Sequence, residues 1–219
     1  MKYTRDEIRR AMLLYAVTDS HWLKEGQTLA DVTAEVVKSG VTFLQIREKD
    51  LAPEAFEAEA EALKKLCNAA GVPFVVNDSV EIALACDADG VHVGQSDIRG
   101  RDIRAIIGPD KILGITANTV ERAIAAEKAG ADYIGVGAMF ATGTKKNAVN
   151  IPISRLQDIR AAVSIPIVAI GGITEQNMDR LAGSGADGIA VVSAIFAAED
   201  PAAAAKSLRE HCERVFGNR

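Results

Sequence analysis

Cysteine is scarce in this chain of 219 residues. Cys67, Cys86 and Cys212 are the full complement, odd in number, far apart and without a Cys-x-x-Cys pair. Neither a zinc site nor a disulfide framework is indicated, and three reduced thiols in a cytoplasmic protein are expected. An apolar N-terminal segment of the signal-peptide type is missing, as is any run of about 18 apolar residues, so neither a signal peptide nor a membrane partner is expected. Basic residues are not in excess. Lys and Arg number 25 against 30 Asp and Glu, a formal charge of −5, which argues against a nucleic-acid partner. No stretch reads as a linker or as low complexity, and one domain over residues 1–219 is expected. A hydrophobic content of 48% is enough for a sizeable core.

What is present is a regular alternation. Short apolar runs at 13–18, 41–46, 73–76, 90–93, 112–115, 133–136, 167–170 and 188–192 read as buried strands. Helical periodicity separates them. A leading helix spans 5–11, and further helices span 28–38 (Leu29, Val32 and Val36 on one side), 53–70 (Phe56, Ala60, Leu63, Cys67) and 201–215 (Ala205, Leu208, Cys212, Val215). Thr174 is placed to cap a helix reaching residues 179–181. A repeated motif precedes several strands: Asp87-Ala88-Asp89-Gly90, Gly130-Ala131-Asp132-Tyr133 and Gly185-Ala186-Asp187-Gly188, with Lys38-Ser39-Gly40-Val41 as a weaker copy. Here the acidic residue is expected to fill a tight turn. Strands alternating with helices at this spacing predict parallel pairing, and eight of them predict a (β/α)8 TIM barrel, α/β in class, behind a short leading helix. An open doubly wound sheet would need a glycine-rich turn after the first strand, where the chain has Thr18-Asp19-Ser20.

Chemistry in such a barrel belongs at the C-terminal strand ends. Strands seven and eight lead into Gly171-Gly172 and Val192-Ser193, where exposed backbone N–H groups and helix starts suit a phosphate. Along strand two, Gln45, Arg47 and Lys49 alternate with Leu44 and Ile46, so the polar three are predicted to face the mouth together and to meet an anion. Asp78 and Asp97 follow strands three and four. Two carboxylates at adjacent strand ends beside a cationic row suit Mg2+, which takes one or two carboxylates and completes its shell with water and substrate phosphate oxygens. His92, inside strand four, reads as a satisfied interior histidine. The loop Thr142-Gly143-Thr144-Lys145-Lys146 after strand six suits an anion but is no P-loop, because Lys does not follow Gly143. Lys146 reads as lying outside the site. The sum is two anion sites facing each other, as a two-substrate transfer requires.

In this order, Tyr15-Ala16-Val17-Thr18-Asp19, Gln45-Ile46-Arg47-Glu48-Lys49, Asn77-Asp78, the stretch 90–97, Thr142-Gly143-Thr144-Lys145, Ile170-Gly171-Gly172-Ile173 and Val192-Ser193 resemble the thiamine-phosphate synthase family over nearly the whole chain. The resemblance implies small-molecule substrates. A pyrimidinylmethyl diphosphate is joined to a thiazole phosphate, or its carboxylated form, with loss of pyrophosphate. It implies that Gln45, Arg47, Lys49 and Asn77 hold the pyrimidine diphosphate, and that Asp78 and Asp97 bind Mg2+. Thr116, where the family often has Ser, would contact the diphosphate region, and Lys145 the leaving pyrophosphate. Thr142, Thr144, Gly172, Val192 and Ser193 would hold the thiazole phosphate. Arg47, Lys49, Thr116 and Lys145 are thereby the candidate catalytic residues. Asn118 departs from the pattern, since a His is common there, and 147–152 lacks the glycine often seen after the lysine loop. A homo-oligomer stays open. A thiazole-phosphate tautomerase of the same barrel type is the alternative; it would keep the phosphate cup without needing both aspartates.

Overall fold

The computed structural model describes residues 2–98, 100–143 and 149–217. Among them, helix α1 (Arg5–Ala11) is followed by β1 (Leu14–Val17), α2 (Leu29–Lys38), β2 (Phe43–Ile46), α3 (Pro53–Ala70), β3 (Phe74–Asn77), α4 (Val80–Ala85) and β4 (Gly90–Val93). Then come α5 (Ile103–Ile107), β5 (Ile112–Thr116), α6 (Val120–Lys128), β6 (Tyr133–Val136), α7 (Ile153–Ala162), β7 (Ile167–Ile170), β8 (Gly188–Val191), α8 (Ser193–Phe196) and α9 (Pro201–Phe216). Each strand pairs in parallel with the next, and β8 returns to β1 to close the barrel.

The TIM barrel expected from the sequence is therefore present. The segment between β7 and β8 departs from expectation: it holds a 3-10 turn, Met178–Leu181, instead of a helix capped by Thr174. The reason lies in Asn177. Its Oδ1 accepts the Thr174 N–H at 2.9 Å and its Nδ2 donates to the Gly172 carbonyl at 2.8 Å, so the first turn folds back on the strand end.

Two apolar layers hold the barrel. The larger lies between strands and helices. The smaller fills the barrel axis, where Ile8 and Met12 from the α1 region stopper the lower end beneath Tyr15, Phe43, Val75, Ile112 and Tyr133. Cys67, Cys86 and Cys212 are free and buried. Burial pushes the thiols of Cys67 and Cys212 up to about 12, so neither supplies a thiolate at neutral pH. No helix among the described residues is long and apolar enough to cross a membrane.

The repeated motif does something other than fill a turn. The residue just before each even-numbered strand accepts a hydrogen bond from the start of the preceding odd-numbered strand. Thr42 Oγ1 takes the Leu14 N–H at 2.8 Å and Asp89 the Phe74 N–H at 2.9 Å. Asp132 takes the Leu113 N–H and Asp187 the Ile167 N–H, both at 2.8 Å. In return, the backbone N–H of each acceptor residue donates to the carbonyl of the same odd-strand residue. The fourth clamp falls two residues later than the expected copy Lys38-Ser39-Gly40-Val41, at Gly40-Val41-Thr42-Phe43, with Thr42 in the place of the acid. Each acid also pairs with a base from the helix before its odd strand: Lys64 on α3, Arg104 on α5 and Arg160 on α7. Four reciprocal clamps thus fix strand register at the end of the barrel opposite the mouth.

Candidate active site

The C-terminal ends of the strands form the mouth, and a cavity of about 40 Å³ marks its floor, lined by Tyr15, Gln45, His92, Thr116 and Ile170 among others. A larger depression of about 380 Å³ lies at the opposite end, between Lys2, Asp89 and Lys111. There Lys2 pairs with Asp89 and Lys111 with Asp87, so those charges are already spent on each other.

Gln45 is buried on the inner wall, as the alternation predicts. Arg47 and Lys49 are not carried by that alternation, because β2 stops at Ile46. The Arg47 N–H leaves the ladder and donates to Thr18 Oγ1 at 2.9 Å. Thr18 Oγ1 donates onward to Glu48 at 3.2 Å, and Ser20 Oγ also donates to that carboxylate. The segment 47–49 is therefore held by side chains of the loop after β1. Arg47 is half-buried and Lys49 exposed. Sequence reasoning passed over Glu48 as an anchor. Its position inside the Arg47-Glu48-Lys49 triplet, out of phase with the expected inward row, was the available signal.

Asp78 comes directly after β3, and Asp97 sits on the turn after β4 that closes with the Asp97 N–H donating to the Gly94 carbonyl. Each carboxylate is aimed by local donors. Asn77 Nδ2 donates to Asp78 Oδ2 at 2.7 Å, and the Gly94 N–H donates to Asp97 Oδ2 at 2.8 Å. Asp78 adopts φ 62, a left-handed backbone that Asp and Asn tolerate better than most residues. Burial, then the facing carboxyl of Asp97, push the Asp78 carboxyl above its usual range, while Asn77 and the charge of Lys49 pull the other way. The expected pair is thus brought face to face, with Lys49 beside it. Among the described residues no group of three or more His, Cys, Asp or Glu side chains gathers for a metal. Two facing carboxylates, all-oxygen donors, fit Mg2+, which draws its other ligands from water and phosphate.

Thr116 ends β5 and is fixed twice. Gln95 Nε2 donates to its carbonyl at 2.6 Å, and its Oγ1 lies 3.0 Å from His92 Nε2. Gln95 was a second residue the sequence reading left without a task. His92 is an interior histidine with its polar atoms engaged: its Nδ1 lies 2.9 Å from the Tyr133 hydroxyl, which lies 2.9 Å from that of Tyr15. Gly114 makes room for this pair, since a Cβ there would sit 2.2 Å from Tyr133 Cζ and 2.6 Å from His92 Nδ1. Asn118 uses its Oδ1 to accept the Gly137 N–H at 3.1 Å and so braces the end of β6.

At the far side of the mouth, Gly172 follows β7 with φ 66. The glycine is required by a protein neighbour: a Cβ would sit 2.3 Å from the Ala141 carbonyl oxygen. The turn after β7 therefore backs onto the loop after β6. Val192 precedes α8, which Ser193 opens, and the first N–H groups of a helix have no acceptor inside it. Thr142 is half-buried on the loop after β6. Thr144, Lys145 and Lys146 lie outside the described residues.

The family described as thiamine monophosphate synthase matches residues 14–195. A curated relative from Clostridium tetani, named thiamine-phosphate synthase, is 46% identical over 204 residues, covering 93% of this chain and 94% of its own. A thiamine-phosphate synthase from Clostridium beijerinckii is 47% identical over 202 residues, covering 92% and 96%. Among solved structures, a thiamine phosphate pyrophosphorylase from Pyrococcus furiosus superposes with a TM-score of 0.87 at 36% identity, covering 96% of this chain and all of that one.

Proposed function

The chain belongs to the thiamine monophosphate synthase family, and from that premise we propose that it couples a 4-amino-2-methyl-5-pyrimidinylmethyl diphosphate to a thiazole phosphate, releasing pyrophosphate and forming thiamine phosphate. It is a transferase of the thiamine-phosphate synthase type. The observation that supports the chemistry best is the facing pair Asp78 and Asp97, beside Lys49, across the mouth from the glycine turn after β7. A tautomerase would have no use for that pair, and the relatives named above are synthases.

In this reading the C–O bond to the exocyclic methylene breaks first. The electron pair leaves with the diphosphate oxygen, and the pyrimidine amino group helps delocalise the cation. The thiazole nitrogen then donates its lone pair to the methylene carbon. No protein nucleophile is needed, so the residues act by holding charge and excluding water. Gln45 and Asn77 orient the pyrimidine diphosphate, and Arg47 and Lys49 bind its oxygens. Thr116 adds a hydroxyl to the diphosphate region. Asp78 and Asp97 would hold Mg2+, which would neutralise charge on the leaving group. Thr142 and Thr144, with the backbone of Gly172, Val192 and Ser193, seat the thiazole phosphate. Lys145 supports departing pyrophosphate; this assignment rests on the family resemblance. The whole chain, 1–219, works as one barrel in the cytoplasm on these two small molecules.

The test is product formation. Both substrates with Mg2+ should give thiamine phosphate and an equal amount of pyrophosphate, and omission of either substrate should give neither. In the same assay Lys145→Ala should lower kcat by about a hundredfold, as loss of one preorganised charge contact does, while Lys146→Ala should stay near wild type. Pyrophosphate release without the thiazole phosphate, at the full rate, would refute the coupling.

A further inference from the structure

Four polar groups run in single file from the barrel core to the mouth: Tyr15 Oη, Tyr133 Oη, the His92 ring and Thr116 Oγ1, at successive distances of 2.9, 2.9 and 3.0 Å. We propose that Tyr15, Tyr133 and His92 are positioning residues that lock His92 as its Nε2–H tautomer and thereby commit the Thr116 hydroxyl to donating a hydrogen bond into the mouth, to a diphosphate oxygen. The proposal rests on the reading of function above for the identity of the acceptor. The direction of the chain stands on geometry alone.

The direction follows from counting protons. With one proton on the ring the chain can be ordered in three ways, and one of them, in which Tyr15 and Nδ1–H both donate to Tyr133, orphans the proton of the fully buried Tyr133, which leaves two. In the first, Tyr15 donates to Tyr133, Tyr133 donates to His92 Nδ1, and His92 Nε2–H donates to Thr116, whose own proton is left for a ligand. In the second, every donor turns round: Thr116 donates to Nε2, Nδ1–H donates to Tyr133, Tyr133 donates to Tyr15, and the Tyr15 proton must find another acceptor. Tyr15 is 1% exposed, and Tyr133 is its one hydrogen-bond partner among the described residues. The second ordering leaves a buried O–H donor orphaned, which folded proteins avoid. The first leaves no buried donor unused and places the spare proton on the half-buried Thr116. Burial raises both tyrosine hydroxyls well above their ordinary range, so each keeps the proton this ordering needs. The bond from Gln95 to the Thr116 carbonyl fixes the backbone from the other side. A hydroxyl so arranged meets an acceptor, such as a phosphate oxygen, and disfavours an amino or amide donor at the same place.

The tautomer is directly measurable on the wild-type enzyme. With 15N-histidine labelling, two-bond 1H–15N correlation at neutral pH separates the Nε2–H ring from the Nδ1–H ring. His21→Gln and His211→Gln remove the other two histidine patterns. The result expected for His92 is the Nε2–H pattern. Any pattern in which Nδ1 carries a proton overturns the proposal, because Nδ1 would then donate to Tyr133 instead of accepting from it. A kinetic readout separates positioning from mere support. Tyr133→Phe should lower kcat about tenfold, the value of one hydrogen bond to a charged oxygen. The same change made on Thr116→Val should cost less than twofold further. Independent, multiplying losses would contradict the proposal. Failure of the wild-type protein to make thiamine phosphate would count against the function instead, and the labelled spectrum would still decide the tautomer.

Discussion

Gly172 carries two demands at one residue. Its left-handed backbone and its contact with the Ala141 carbonyl both exclude a side chain. The sequence shows the Gly171-Gly172 pair ending an apolar run, which is enough to place a strand end there. It does not show that the loop after β6 leans on the same spot, because that contact joins residues from different βα units. Gly172→Ala should therefore displace residues 140–142 and cost more than about 1 kcal/mol of stability. If the loop seats the thiazole phosphate as proposed, the same change should raise KM for that substrate. Thermal unfolding and steady-state kinetics check both, and a variant with unchanged Tm would show that the loop does not rest on the glycine. Asn118 teaches the same lesson. It reads as a departure from a family pattern, and its use, gripping the Gly137 N–H, depends on β5 and β6 lying side by side.

At the scale of elements, apolar runs made the strands legible because parallel barrel strands are covered on both sides. Side-chain parity worked as long as the ladder lasted. It placed Gln45 correctly and failed beyond Ile46, where Thr18 and Glu48 take over from strand pairing. The repeated Gly-Ala-Asp motif was visible as a pattern, but its clamp needs two strands and a helix to be assembled. Asp89 allows a direct test. Its carboxylate is fully buried and pairs with buried Lys64 at 2.8 Å. Burial alone would raise Asp89, but the hydrogen bonds from Lys2, Lys64 and the Phe74 N–H win and hold it below the usual range. A depressed folded value means that its contribution is present above the unfolded value of about 3.9 and is lost as pH falls through the folded one. Asp89→Asn leaves Lys64 buried without its counter-charge and should cost about 3–5 kcal/mol at neutral pH, with a weaker loss of stability on acidification than wild type. Adding Lys64→Met should recover most of that loss. Urea unfolding of the three proteins across pH measures this; a neutral Asp89→Asn would show that the ion pair with Lys64 adds nothing to the fold.

The whole molecule divides its tasks between its two ends. Clamps and the α1 stopper fix the lower end, while the upper end gathers charge. β2, β3 and β4 bring Arg47, Lys49, Asp78 and Asp97 to one side, and β7 and β8 bring Gly172, Val192 and Ser193 to the other. Closing eight strands into a ring is what sets these groups across a common mouth, so a change at one side should leave the fold of the other intact. In the proposed function the facing carboxylates seat the Mg2+ on which pyrophosphate release depends. Asn is the suitable replacement, because it keeps the shape and tolerates the left-handed backbone at residue 78. The decisive measurement is the rate of pyrophosphate release from both substrates by the wild type, Asp78→Asn and Asp97→Asn, first in EDTA and then over a Mg2+ titration. Wild-type turnover should be absent in EDTA and recover fully with Mg2+. Each variant should show kcat lowered by about a hundredfold or more at saturating metal, with folding unchanged. Wild-type turnover in EDTA, or variants that match the wild type at every Mg2+ concentration, would contradict that role of the carboxylates.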